Sequence, residues 1–346
     1  MSSRRVVPVQ GRGASSPGRP TVGKALKPFA SCFGRAADAH AAASALRVLM
    51  PSSVVRRVTT LKEKPGSAVY RLDGSIPGGG ALLAKRTAHS TALHEHDVYT
   101  RVLPLLSLPA LRCHGIVHEG SSADMAWIFV DFVDGVPFST FDDRHREVAA
   151  RLIARLHTEG AGCGDGATLP RRDAGHYLRH LRSARLTLLA NLGNPRLRDE
   201  GRAIVREVIE KCDALEVRWH EIEAQCEALP ETLVHGDLKP GNMLIRETAR
   251  GQKLTLLDWE TTGWGFPGPD LSWLHLPTYR RGVRDSWPGL DLCALRRTAA
   301  VGLVLRTVAS IDWASCDLQL RWLDRPLAEL VVYRDILAHI LPRWGD

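Results

Sequence analysis

The sequence predicts an α+β fold, with a small antiparallel sheet near the start and a larger, mainly helical part after it. Three observations lead there. VTTLKEKPGSAVYRLDG and GGGALLAKRT read as short strands around turns. STALHEHDVYTRVLPLL and the stretch with Val148, Leu152 and Leu156 repeat apolar residues at helical spacing. LVHGDLKPGNMLI, followed by LTLLDWE, places a polar loop between apolar strands.

That last segment carries the chemistry. LVH and NMLI are β-prone, so DLKPG is the loop between them, and LTLLD is a third strand. RETARGQK, with Gly251, reads as a hairpin turn. A hairpin centred near Arg250 sets Asn242 opposite Asp258 at its open end, with Asp237 on the adjoining loop. A carboxylate and an amide oxygen suit magnesium, a hard cation that prefers oxygen ligands. Asn242 and Asp258 are therefore the expected metal ligands. Asp237 is then free to orient an acceptor hydroxyl and take its proton. A turn-rich surface loop is the plain alternative, and it explains a lone HGD better than the whole pattern.

HGDLKPGN and LLDWE resemble the aminoglycoside phosphotransferase and choline kinase branch of the protein-kinase-like fold, over roughly residues 55 to 275. Gly236 after His235 is typical of that branch, where protein kinases place Arg. LDWE stands in place of Asp-Phe-Gly, and no Ala-Pro-Glu follows. The resemblance implies a two-lobed enzyme using ATP, with GTP as the alternative nucleotide, and Mg2+. It divides the chain into a tail with a leading helix (1–50), an N-lobe (51–134) and a C-lobe (135–346).

The resemblance also implies roles upstream. The turn at Pro65, Gly66 and Ser67 would cover the nucleotide phosphates with backbone N–H groups and a small hydroxyl. An ordinary hairpin turn explains it almost equally well. Lys85 would contact the α- and β-phosphates. Glu95, in the first turn of a helix capped by Ser90 or Thr91, would pair with that lysine. Leu93, Val98 and Val102 are that helix's expected apolar positions. A solvated lysine and a glutamate favouring the helix dipole are the bland readings. MAWIFVDFVDGVPFS would form the hinge, with backbone groups of Asp131 and Val133 on the adenine edge. His157 and His235 are expected to brace structure rather than move protons. Asp270 is expected to act as a helix N-cap, or to help hold the catalytic loop.

Composition narrows the function classes. The chain has 346 residues, enough for a two-lobed enzyme with a sizeable core. The longest apolar run, TAAVGLVLRTV, is broken by Arg306, so no membrane span is expected. Seven cysteines without CxxC spacing suit reduced thiols in a cytoplasmic protein. Residues 1–60 hold ten Lys/Arg and one acidic residue, a balance of +9 within the total of +8; the rest balances at −1. Basic character thus belongs to the tail, against nucleic-acid binding by the body. The Ser-, Gly-, Pro- and Arg-rich start reads as disordered and offers a contact for a partner protein. Arg4-Arg5 has no apolar stretch behind it, so export is not expected.

The acceptor is the open question. From Asp270 onward there are nine acidic and ten basic residues, no excess of negative charge to suit a polycationic aminoglycoside. A less cationic, hydroxyl-bearing small molecule fits better. Lys239 suits a residue that neutralises the transferring phosphate, as protein Ser/Thr kinases place it. It keeps a Ser/Thr hydroxyl of a ribosomally made precursor peptide as the alternative acceptor. A kinase-like binding module without turnover would have lost a catalytic residue, but Lys85, Asp237, Asn242 and Asp258 are all present.

Overall fold

In the computed structural model the described residues are 30–33, 35–77, 79–119, 124–162, 169–249 and 251–340. Of the basic start expected to be disordered to about residue 35, residues 1–29 lie outside them, as does Arg250, whereas 30–33 form a strand. The first elements are β1 (Ala30–Phe33), α1 (Arg35–Asp38), α2 (Ala41–Leu49), β2 (Val54–Lys64), β3 (Ser67–Ser75), β4 (Leu82–Ala88), α3 (His89–Asp97), β5 (Cys113–His118) and β6 (Met125–Asp131). The strands form one six-stranded antiparallel sheet, ordered β1-β2-β3-β4-β6-β5. Helix α2 buries Ala42, Ala43 and Leu46 among Val58, Leu72 and Trp127 on the outer face of this sheet. His40 starts that helix, its Nδ1 accepting the Ala42 N–H at 3.1 Å.

The helical part holds β7 (Val136–Pro137), α4 (Asp143–Gly162), β8 (Arg171–Arg172), α5 (Ala174–Asn191), α6 (Asp199–Val217), α7 (Trp219–Glu227), β9 (Thr232–Val234), β10 (Met243–Thr248), β11 (Gly251–Leu256), β12 (Gly263–Gly265), α8 (Leu276–Val283), α9 (Leu292–Asp317) and α10 (Asp324–Ile340). Two three-stranded sheets, β11-β10-β7 and β8-β12-β9, lie within it. One core packs α4, with Ile153 and Leu156, beneath Met243, Ile245 and Leu256 of the β10–β11 hairpin. A second packs α5, α6, α9 and α10 through Leu181, Val208, Val304 and Leu330. This is the two-lobed α+β arrangement expected from the sequence.

Helix α9 departs from one expectation. It is long and apolar enough to cross a membrane by length and composition. Its residues Leu295, Val301, Val304, Leu305 and Val308 are nevertheless buried against neighbouring helices, as in the core helix of a globular protein.

Two sequence expectations for α3 also shift. Strand β4 runs straight into the helix, whose N-cap is Ala88 without a side-chain bond, rather than Ser90 or Thr91. Glu95 therefore sits near the end of α3, not in its first turn. Ala92 and Val98 face the core, while Leu93 is 40% exposed.

Candidate active site

The hairpin forms as the sequence implies, one step out of register. Met243 pairs with Leu256 and Thr248 with Gly251, so the centre falls between residues 249 and 250. Asn242 thus lies opposite Leu257, whose N–H donates to the Asn242 carbonyl at 2.9 Å, and Asp258 is the next residue. Asp258 leaves the strand at φ +65°, the only non-glycine among the described residues with positive φ. Such backbone strain costs about 1–3 kcal/mol and gathers at functional sites.

That turn carries the Asp258 carboxylate to Lys85. The Lys85 ammonium donates to Asp258 Oδ1 at 2.5 Å, Glu95 Oε2 at 2.9 Å and Glu260 Oε2 at 2.8 Å. The expected Lys85–Glu95 pair is therefore present, with Glu95 on α3 and Lys85 on β4 both buried. One ammonium thus bonds three carboxylates, and Lys62 and Lys239 also lie within electrostatic reach of Asp258. Burial tends to raise the Asp258 carboxyl, but the Lys85 charge and hydrogen bond win and hold it down at about 2. Burial pushes Glu95 up to about 7 against the opposing pull of Lys85.

Asp237 occupies a separate setting. It is 5% exposed, and its Oδ2 is shared by the Lys239 ammonium and the Asn242 amide, the latter at 3.2 Å. Asn242 also donates to the Asp237 carbonyl at 2.9 Å, so the orientation of its amide leaves Oδ1 unused by these bonds. Arg306 of α9 reaches Asp237 Oδ1 from the other side at 3.4 Å.

The loop between β9 and β10 is locked from beneath. Asp270, 1% exposed, accepts the N–H groups of His235 at 2.7 Å and Gly236 at 2.9 Å, and contacts His157 Nε2 at 3.3 Å. Asp270 lies within a short 3-10 turn, Gly268–Leu271, and its oxygens satisfy loop amides; it does not cap a helix. His157 bonds Tyr279 at 2.7 Å, and His235 Nε2 meets the Leu257 carbonyl at 3.0 Å. Both histidines thus brace the loop, as expected. Gly236 has φ +81°, and a Cβ there would lie 2.7 Å from the Thr261 carbonyl oxygen. No other residue type fits that position without strain.

The remaining expected positions are on the sheet. Gly66 turns the β2–β3 hairpin at φ +74°, and Ser67 opens β3. Val69 pairs with both Lys62 and Lys85, so strand alternation puts Ser67, Lys62 and Lys85 on one face. At the hinge, the Asp131 N–H already donates to the Arg112 carbonyl, and Phe132 donates to Ala81. Among the described residues the Val133 N–H donates to no backbone carbonyl, whereas the Asp131 donor is already engaged. A cavity of about 490 Å³ opens beside Ala81, Leu111, Phe132 and Val133. None of Lys85, Asp237 and Asp258 lines it, so it stands apart from the charged cluster.

Sequence reasoning missed three residues. Glu260 stands two places after Asp258 inside LDWE, where its signal was available. Lys62 lies within electrostatic reach of Asp258, Lys239 and Glu260, a position that only strand pairing reveals. Arg306 was visible as a charge within an apolar helix, but its contact with a loop 69 residues away was not.

Comparison with known proteins agrees with this architecture. Wild-type aminoglycoside 2'-phosphotransferase-IIIa in its GDP complex superposes with a TM-score of 0.58 at 16% identity, covering 84% of this chain and 97% of that one. Choline kinase from Cryptosporidium parvum Iowa II superposes at 0.56 and 12% identity, covering 83% and 90%. A homoserine kinase from Beijerinckia indica subsp. indica is 28% identical over 184 residues, 49% of this chain. The match spans about half of that kinase, 52% of its length. The model of the phosphotransferase enzyme family matches residues 61–303, from the Lys85 sheet through the β10–β11 hairpin into α9. The chain belongs to the phosphotransferase enzyme family.

Proposed function

We propose that this phosphotransferase moves the γ-phosphate of ATP, with Mg2+, to a hydroxyl group of a small molecule. The observation that carries the reading is the division of charge. Asp258 and Glu260 share Lys85 with Glu95 and are set apart from Asp237, an oxygen-rich cluster that suits a divalent cation. Asp258 and the unused Asn242 oxygen are the oxygen donors that would hold it. When bound, the metal would neutralise charge on the nucleotide phosphates. Lys85 would exchange its bonds to Asp258 and Glu260 for phosphate oxygens and keep Glu95 as its anchor. The glycine turn at Gly66 and Ser67, and Lys62 beside it, would close over those phosphates. The Val133 N–H is the hinge donor for the base, with the Asp131 carbonyl as its neighbour.

Asp237 then takes the acceptor. Its carboxylate orients the hydroxyl and receives the proton as the oxygen bonds to the γ-phosphorus and ADP leaves. Lys239 sits where it would balance charge on the moving phosphoryl group. The half-length match to a homoserine kinase supports a small acceptor. The Lys239–Asp237 pair serves a peptide hydroxyl equally well, so nothing about it favours the precursor-peptide alternative.

Incubation with γ-labelled ATP and a panel of small hydroxyl compounds, with a Ser/Thr peptide alongside, tests the reading. Label should pass to a small acceptor, stop on chelation, and stop in Asp258→Ala while the fold persists. Transfer that survives chelation or the Asp258→Ala change overturns the metal assignment. Label on the peptide alone overturns the acceptor class.

A further inference from the structure

Arg306 has no role in the reading above, yet it is built into the site. Helix α9 lies so close to the Gly268–Leu271 turn that a Cβ at Gly302 would fall 1.9 Å from the Gly268 carbonyl. This close approach fixes α9 one turn before Arg306 and against the segment that bears Asp270. The Arg306 side chain is 12% exposed. Both of its hydrogen bonds run through Nη1, to Asp237 Oδ1 at 3.4 Å and the Leu238 carbonyl at 3.5 Å. Both are long for charge-assisted bonds. Its buried Nε–H has no partner. Its guanidinium carbon lies 5.8 Å from the centre of the Trp273 ring, whose own buried Nε1–H also has no partner.

Two buried donors without acceptors among the described residues therefore belong to Arg306, which reaches the expected base, and to the indole beside it. Native folds seldom leave such groups unmet unless an ordered water, an ion or a ligand meets them. The local charge points the same way. Asp237 is shared by two cations, Lys239 and Arg306, so Arg306 has no carboxylate of its own among the described residues.

We propose that Arg306, with the Trp273 indole N–H, is the anion-binding element of the acceptor site, and that the acceptor is a small hydroxy acid. This rests on the phosphotransferase reading given above. The acceptor carboxylate would take the guanidinium in a paired, two-bond geometry that lysine cannot match. Asp237, released from Arg306, would face the hydroxyl a few bonds further along the same molecule. Polycationic acceptors are disfavoured because they meet Lys239 and Arg306 at the same spot.

The test compares kcat/KM for short hydroxy acids, homoserine among them, with their neutral amides and the matching amino alcohols. Wild type, Arg306→Gln, Arg306→Lys and Trp273→Phe are measured, with KM for Mg-ATP in parallel. Wild type should prefer acid to amide by at least about tenfold. Arg306→Gln should level that ratio through acceptor KM and leave the Mg-ATP KM unchanged, and Arg306→Lys should restore part of it. Trp273→Phe, which removes only the N–H donor and part of a ring, should raise acid KM a few-fold. An unchanged acid-to-amide ratio in Arg306→Gln overturns the proposal. So does a rise in the Mg-ATP KM alone, which would place Arg306 on the transferring phosphate. Wild-type transfer to neutral or cationic acceptors without acid preference sinks this inference alone, whereas no transfer to any small hydroxyl sinks the phosphotransferase reading beneath it.

Discussion

Asp270→Ala removes the buried acceptor that holds the loop carrying Asp237. The carboxylate takes the N–H groups of His235 and Gly236 and contacts His157, all within a region closed to water. An unsatisfied buried donor costs about 1–3 kcal/mol, so two of them give about 2–6 kcal/mol. In Asp270→Asn one oxygen remains and an NH2 faces the other N–H, so about 1–3 kcal/mol is lost. Burial tends to raise the Asp270 carboxyl, but His157, His235 and the loop amides hold it below the usual range. Its stabilising contribution is therefore present at neutral pH and fades only as pH falls below about 4. Thermal unfolding at pH 7, with initial rates on the same samples, measures both effects. Asn should lie between wild type and Ala in melting temperature. The catalytic rate should fall further than Mg-ATP affinity, because the Lys85 cluster does not touch Asp270. If the Ala variant melts with wild type and turns over normally, the loop is not held by Asp270.

Three other outcomes follow from the site. Lys85→Met leaves Glu95, Asp258 and Glu260 with no shared cation; chemical denaturation should show a loss of about 3–5 kcal/mol, and Mg-ATP KM should rise. Gly236→Ala forces a Cβ against the Thr261 carbonyl at positive φ, so expression yield and kcat should both drop, with at least about 1 kcal/mol of strain from backbone conformation alone. Burial, then the nearby Arg172 and His180 charges, push His176 down to about 3. A histidine depressed in the folded state favours folding above its unfolded pKa and loses that contribution as pH falls below about 6.5. Stability at pH 5 should therefore drop by about 1 kcal/mol, after allowance for partial exposure, and His176→Asn should flatten that slope.

The segment from Leu233 to Glu260 was legible because its local signals agree: apolar strands on both sides, a polar loop, and carboxylates at fixed spacing. The register was one step off because the polar turn carries no marker of its centre, and the loop between Thr248 and Gly251 has an even number of residues. The α3 start was misplaced because β4 enters the helix without a capping side chain; the His89 N–H bonds the Asp124 carbonyl instead. Lys85 and Glu95 were found by resemblance and not by periodicity, since the residue pattern alone allows a solvated lysine. Arg306 was read as an interruption of an apolar run, and its meaning rests on a contact 69 residues away that no local pattern encodes.

The most direct measurement compares Asp237→Asn with wild type in single-turnover transfer from γ-labelled ATP, with Mg-ATP affinity determined on the same preparations. Asp237 contacts neither Lys85 nor Asp258 among the described residues, and asparagine keeps one oxygen to accept the Asn242 amide, so the nucleotide cluster should persist. The account predicts transfer slowed by at least about a hundredfold, the scale of a lost general base, with nucleotide affinity within a few-fold of wild type. Transfer at the wild-type rate, or equal losses of affinity and rate, would contradict it.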